Sequence, residues 1–189
     1  EAFLTALLHV GCACVLAGWL MGRHAVRNAS PDRPCIGSMV MVDGEESDRL
    51  WEGPMLDRSV GRLPFSVRLE RFFVERYARN SDDRDAGRDA PVREYRSRVT
   101  ITEPGRPPYV ANVRVNEPVY VRGYHIYQMS WGHSTDRLGR PIVYTVLQVI
   151  RDPGLRLVYA GFTLLFAGIL FFAWRIFRIQ GTSAREVPA

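Results

Sequence analysis

The sequence predicts a membrane protein of the α + β class, with two transmembrane helices flanking an antiparallel β-sandwich or barrel-like domain. Two observations carry that reading. Apolar residues pile up at the ends of the chain, as "AFLTALLHVGCACVLAGWLMG" over residues 2–22 and "LVYAGFTLLFAGILFFAW" over residues 157–174. Between them, apolar residues recur with period two and are punctuated by turn residues, the mark of half-buried antiparallel strands.

Residues 2–22 hold no charged group, only His9 and two thiols as titratable groups. At a rise of about 1.5 Å per residue, a helix of that length spans the roughly 30 Å hydrocarbon layer. The run lacks a basic leader and is followed by "RHAVRN", where a small-residue cleavage site would stand in a signal peptide, so an anchor is expected. The second span, 157–178 with its flank, carries no charge from Leu157 until Arg175, and a polar tail is expected over 179–189. Gly11, Gly18, Gly22, Gly161 and Gly168 stand where other helices can approach closely, which predicts a bundle rather than a lone anchor.

The middle domain, 23–156, opens with the loop-rich "RHAVRNASPDRPCIGS" and a short strand "MVMVDGEE" ending in an Asp-Gly turn. In "LPFSVRLERFFVERYAR", Phe65, Val67 and Leu69 alternate with Ser66, Arg68 and Glu70. Phe72 and Val74 then continue in shifted phase, which predicts a bulge or bend near Arg71 and Phe72. Residues 78–92 are polar without hydrophobic period, as a hairpin loop is. Strands return in "EYRSRVTITE", in "YVANVRVNEPVYVRGYHIYQMSWG", where Val110, Val113, Val115, Val119 and Val121 are the apolar positions, and in "PIVYTVLQVIRDPG". No helix is needed between the two spans, and no internal repeat or low-complexity tract is present.

Composition excludes more than it assigns. The net charge is +5 and all 25 basic residues are Arg, but acids interleave with them, as in "NSDDRDAGRDAPVREYRSR", so no phosphate-binding stripe forms and no nucleic-acid partner is expected. Basic residues flank both sides of the spans and do not orient them. Cys12 and Cys14 lie about 200° apart on a helix and cannot pair with each other. Cys35 stands alone, either a buried inert thiol or one half of an intermolecular disulfide. The chain carries no Gly-rich phosphate loop, no Cys-x-x-Cys, no His-Glu-x-x-His and no Gly-x-Ser-x-Gly. No catalytic residue and no metal site is expected, since His125 and His133 lack a metal-ligand spacing. His24 lies just outside the first span, where an imidazole is unremarkable.

His9 stands apart by position. A titratable side chain inside a membrane span is costly and usually faces a partner helix, a cavity or a cofactor. Two readings stay open: a helix–helix hydrogen bond, and an axial ligand to haem iron through a neutral imidazole.

The stretch "VNEPVYVRGYHIYQMSWG" resembles the ResB (CcsB) family of cytochrome c biogenesis proteins, in which a Val-Asn-x-Pro strand runs through Gly-Tyr into Tyr-Gln and an aromatic-Gly. "LPFSVRLERFFVERY" is similar to that family's Leu-Pro-Phe strand, "EYRSRVTITEPG" to its Tyr-x-Ser strand, and "RDPGLRLVYAGFTLLFAGILFFAW" to its Asp-Pro-Gly entry into the last span. The resemblance covers most of residues 1–178. It implies an extracytoplasmic domain on the periplasmic side of a bacterial inner membrane, and a CcsA/ResC-like membrane partner with which haem is moved and attached to apocytochrome c. "LLHVGCACVLAGWLMGR" is similar to the family span with a His near its start, which implies haem bound by His9, transiently or shared with the partner. The chain itself would make no covalent bond; it would be one component of a haem-lyase complex.

Full ResB proteins carry further spans ahead of this one and a larger extracytoplasmic domain, so a shortened form is expected here. A different class of role also fits the sequence, that of an accessory subunit of a membrane electron-transfer complex using a ResB-like fold to pack. The aromatic run at 124–131 is expected to alternate, with Tyr124, Ile126, Gln128 and Ser130 on one face and His125, Tyr127, Met129 and Trp131 on the other. That arrangement serves either cross-strand packing or a docking surface for apocytochrome or the partner.

Overall fold

The computed structural model describes residues 2–52, 57–77, 91–136 and 138–183, with side chains through Arg178. The chain divides into two units, a helical one formed by its two ends and a β unit spanning Asn28–Arg151.

In the helical unit, α1 runs Ala2–Arg27 and α2 runs Leu155–Ser183, each long and apolar enough to cross a membrane. Both run on beyond the apolar segments, because a helix need not end where the hydrocarbon does; α2 takes in the first residues of the stretch expected as a polar tail, and 184–189 lie outside the described residues. The Asp152 carboxylate accepts the Gly154 N–H at 2.8 Å and so caps the first turn of α2, with Pro153 just behind it needing no donor. The "DPG" sequence is thus a helix start.

Glycine decides how the two helices pack. A β-carbon added at Gly11 would stand 3.1 Å from the Gly161 carbonyl oxygen, and one at Gly18 would stand 2.8 Å from that of Gly154. Gly168 faces Leu8 in the same way. The helices are therefore antiparallel, with glycines at 154, 161 and 168 repeating every seven residues against Gly18, Gly11 and Leu8. Such backbone proximity is what small residues give in lipid, where packing rather than the hydrophobic effect holds helices together. Arg23 lies over the Trp19 ring and Arg178 over the Trp174 ring, so each border of the pair carries a Trp–Arg anchor.

Among the described residues the β unit is one antiparallel sheet of eight strands: β1 (Ile36–Val42), β2 (Glu46–Glu52), β3 (Arg58–Arg76), β4 (Val92–Thr102), β5 (Tyr109–Arg114), β6 (Val119–Val121), β7 (Tyr124–Thr135) and β8 (Pro141–Ile150). Their order across the sheet is β5-β4-β3-β2-β1-β8-β7-β6. The sheet rolls until edge strand β5 approaches β6 and β7, so the barrel-like alternative holds. Met39, Met41, Leu50, Phe65, Val67, Leu69, Val99, Ile101, Val113, Ile126, Leu147 and Val149 fill the interior. No helix interrupts the described residues of this unit.

Two differences from the sequence reading have physical causes. Strand β2, "ESDRLWE", had no alternating signal because Leu50 alone is buried in it; pairing with β1 and β3 makes it a strand. Val110, one of the apolar positions of the alternating pattern, is 52% exposed because β5 pairs it with outward-facing Thr100. The shifted phase in β3 is there, with a register break between Leu69 and Arg71. Asp43 holds it by accepting the Phe72 N–H at 2.9 Å. The hairpin loop expected over 78–92 lies, for 78–90, outside the described residues; Val92 already belongs to β4.

Candidate functional site

His9 is exposed on α1, and its Nδ1–H donates to the Thr5 carbonyl oxygen one turn back at 2.7 Å. A carbonyl only accepts, so Nδ1 carries a proton, and in the neutral imidazole the lone pair left for a ligand is that of Nε2. His9 lies about 180° around the helix from Gly18, whose face packs on α2. The helix–helix hydrogen bond expected as one reading therefore does not form within this pair. Thr5, Cys12 and Leu16 share its outward side, and all three are exposed. This geometry suits a single ligand atom offered to something beyond α1 and α2. Haem iron takes neutral imidazole nitrogen of this kind, and His9 would be the imidazole of α1 to hold it.

The aromatic run of β7 does not alternate throughout. A β-bulge between Gln128 and Ser130 leaves Met129 53% exposed and shifts the strand by one residue. Tyr124, Ile126 and Gln128 face the interior, and His125 and Tyr127 face out, as expected. Beyond the bulge Trp131 pairs with buried Thr145 and so joins the Gln128 side, where its ring packs 5.8 Å from that of Phe72. The assignments of Trp131 to the His125 face and of Ser130 to the Gln128 face are thus corrected: the bulge resets the parity on which they relied. The break in β3 places Phe72 to meet it.

What pins this bulge is a buried polar node. Ser97 Oγ donates to Gln128 Oε1 at 2.6 Å, and Gln128 Nε2 donates to Thr145 Oγ1 at 2.7 Å. Ser97 and Thr145 hydroxyls stand 3.2 Å apart, and Gln128 Nε2 also reaches the Ser130 carbonyl oxygen at 3.3 Å. All three side chains are almost wholly buried. Tyr95 O–H donates to the Met129 carbonyl oxygen at 3.3 Å, satisfying an acceptor that the bulge leaves outside the ladder. The Tyr-x-Ser and Tyr-Gln motifs are thereby joined in space. The sequence carried a signal for this node: Ser97, Gln128 and Thr145 each occupy the inward parity of an otherwise apolar strand face.

His125 and His133 are separated by the same bulge. His125 lies outward between Tyr120, 5.0 Å away, and Tyr127, 6.1 Å away, while His133 sits against Trp131 on the other side. Among the described residues no His, Cys, Asp and Glu cluster suited to a metal forms. Cys35 is buried, and its carbonyl accepts the Arg151 N–H at 2.7 Å. Cys12 is exposed and Cys14 half-buried, and among the described residues no disulfide joins any of the three cysteines.

At one end of the barrel, Glu103 is buried beside Arg106 and Tyr109. Burial first, then the Glu103 charge and its hydrogen bond, raise the Tyr109 phenol above its ordinary value. The turn joining β6 to β7 lies against the same site, and its two central residues, Arg122 and Gly123, have φ of 48° and 92°. That sign pattern is a type I′ turn, which costs glycine nothing and arginine about 1 kcal/mol or more.

Comparison with known proteins matches these features to a lineage. Protein NrfI of Wolinella succinogenes is 31% identical over 110 residues, which are 58% of this chain and 10% of that protein. The chain thus spans about a tenth of the length of that relative. A family model described as ResB-like family matches residues 4–142, from the first turn of α1 to the start of β8. With that match covering most of its length, the chain belongs to the ResB-like family.

Proposed function

We propose that this protein serves cytochrome c maturation as a scaffold: α1 offers His9 Nε2 as one axial ligand to haem, and the β unit holds the recipient apocytochrome c. The observation that carries this reading is the outward, tautomer-fixed His9 on a helix of membrane-spanning length. A CcsA/ResC-like membrane protein would supply the ligation chemistry. Bound haem would supply the iron whose oxidation state governs thioether formation at the recipient's thiols. This chain's part is to position and to shield, with the β unit on the periplasmic side.

Membership of the ResB-like family supports the maturation role, and the exposed side of α1 supports a partner there. Purification in mild detergent with bound partners, partner identification by mass spectrometry, and reduced-minus-oxidised spectra of wild type and His9→Ala test it. A CcsA-like partner and a haem band lost or shifted in the variant are expected. A multisubunit redox complex whose spectrum ignores His9→Ala overturns the proposal in favour of an accessory subunit of electron transfer.

A further inference from the structure

The outer face of strands β3 to β5 carries arginines in positions that cost stability. Arg71 on β3 is directly opposite Arg98 on β4, and Arg96 on β4 is directly opposite Arg114 on β5. Like charges facing each other across strands are destabilising. The second pair is compensated, with Glu75 3.3 Å from Arg96 and Glu94 3.3 Å from Arg114. The first is not. Glu70, the extra residue of the β3 bulge, is taken by Arg68 at 3.8 Å and by the Thr100 hydroxyl at 2.8 Å. Among the described residues no ion pair joins Arg71 or Arg98 to a carboxylate.

The face is also ordered in advance. The Arg71 and Arg96 guanidiniums both lie over the Phe73 ring, at 5.6 and 5.2 Å from its centre. Stacking of this kind holds the planar fork and leaves its edge free to donate.

We propose that Arg71, held over the Phe73 ring, and Arg98 directly opposite it form a docking site for a partner protein that presents a pair of carboxylates. The bulge after Leu69 creates the site, because it brings Arg71 to the outward face opposite Arg98. A protein fits better than an anionic membrane surface. Arg96 and Arg114 beside the site are already occupied by Glu75 and Glu94, so the uncompensated charge is confined to two side chains, which suits a pair of carboxylates rather than an extended anionic sheet. The cost of opposing arginines is thus retained for recognition, and binding removes it.

The test uses the full chain in nanodiscs of zwitterionic lipid. Fluorescence anisotropy follows a labelled peptide with a Glu-Glu pair flanked by lysines, and its Gln-Gln counterpart; thermal melting is recorded in parallel. The Arg71→Gln/Arg98→Gln variant is expected to lose roughly tenfold or more in affinity for the Glu-Glu peptide. Arg58→Gln/Arg62→Gln, which removes the same charge elsewhere on β3, is expected to keep it, and the Gln-Gln peptide to be ignored by all. The first variant should melt no lower than wild type, since it relieves a repulsion. The proposal is overturned if the wild-type chain does not bind the Glu-Glu peptide, if both variants lose affinity equally, or if Arg71 and Arg98 serve only binding to phosphatidylglycerol vesicles. A lowered melting temperature of the first variant also overturns it, because the pair would then be part of the fold's support.

Discussion

Replacing Gln128 by leucine removes the hub of the buried node while keeping its volume nearly constant. Three hydrogen bonds go, two of them short: Ser97 Oγ to Oε1 at 2.6 Å, and Nε2 to Thr145 Oγ1 at 2.7 Å. The longer bond to the Ser130 carbonyl oxygen goes too, although Thr145 Oγ1 stays 3.4 Å from that atom. Ser97 and Thr145 keep each other at 3.2 Å, so neither hydroxyl is orphaned. Two short bonds at about 1 kcal/mol each, with the partners partly rescued, give a cost of about 2 kcal/mol. Ser97→Ala instead strands Gln128 Oε1 and costs about 1–2 kcal/mol. In the double variant that stranding disappears, so the two effects fall short of additivity by about 1 kcal/mol. Urea unfolding of the four chains, followed by Trp131 fluorescence, measures the cycle. If Gln128→Leu costs under about 0.5 kcal/mol, or the pair is additive, the node does not hold the bulge and the argument fails.

Three further outcomes follow from the geometry. Gly161→Leu should loosen the helical unit by about 1–3 kcal/mol, because even a β-carbon there meets the Gly11 oxygen at 2.7 Å; resistance of the helix pair to denaturing detergent reports it. Arg122→Gly should stabilise the β unit by about 1 kcal/mol in the same urea assay, by relieving a left-handed arginine. Asp136, held below the usual carboxylate value first by the Arg140 N–H, then by the Arg140 side chain, closes the β7–β8 connection. Its contribution is complete above the carboxylate's unfolded value and is lost as pH falls through the lower folded one. Protection of the Arg140 amide against exchange should therefore fall below about pH 4, and in Asp136→Ala it should be missing at every pH.

Much of this protein was legible one residue at a time. Uncharged runs of bilayer length can only be helices, because hydrocarbon leaves no other partner for the backbone. Period-two alternation in "LPFSVRLE" and turn chemistry at "DG" and "RG" marked the strands and their ends. Even the break in β3 showed itself, as Phe72 and Val74 fell out of phase with Leu69. His9 announced itself by cost, a titratable group where none is cheap.

Other features were settled only by the folded chain, since they depend on what lies across from a residue rather than beside it. Which side of α1 meets α2 was decided by glycines apposed across the pair, and that left His9 facing outward. Strand β2 exists because two neighbours complete its hydrogen bonds, not through any pattern of its own. The bulge at Met129 arises where Ser97, Gln128 and Thr145, distant in sequence, find one another in a space without water. An unpaired amide there would cost more than the disturbed ladder, so the strand bends, and Trp131 changes face with it.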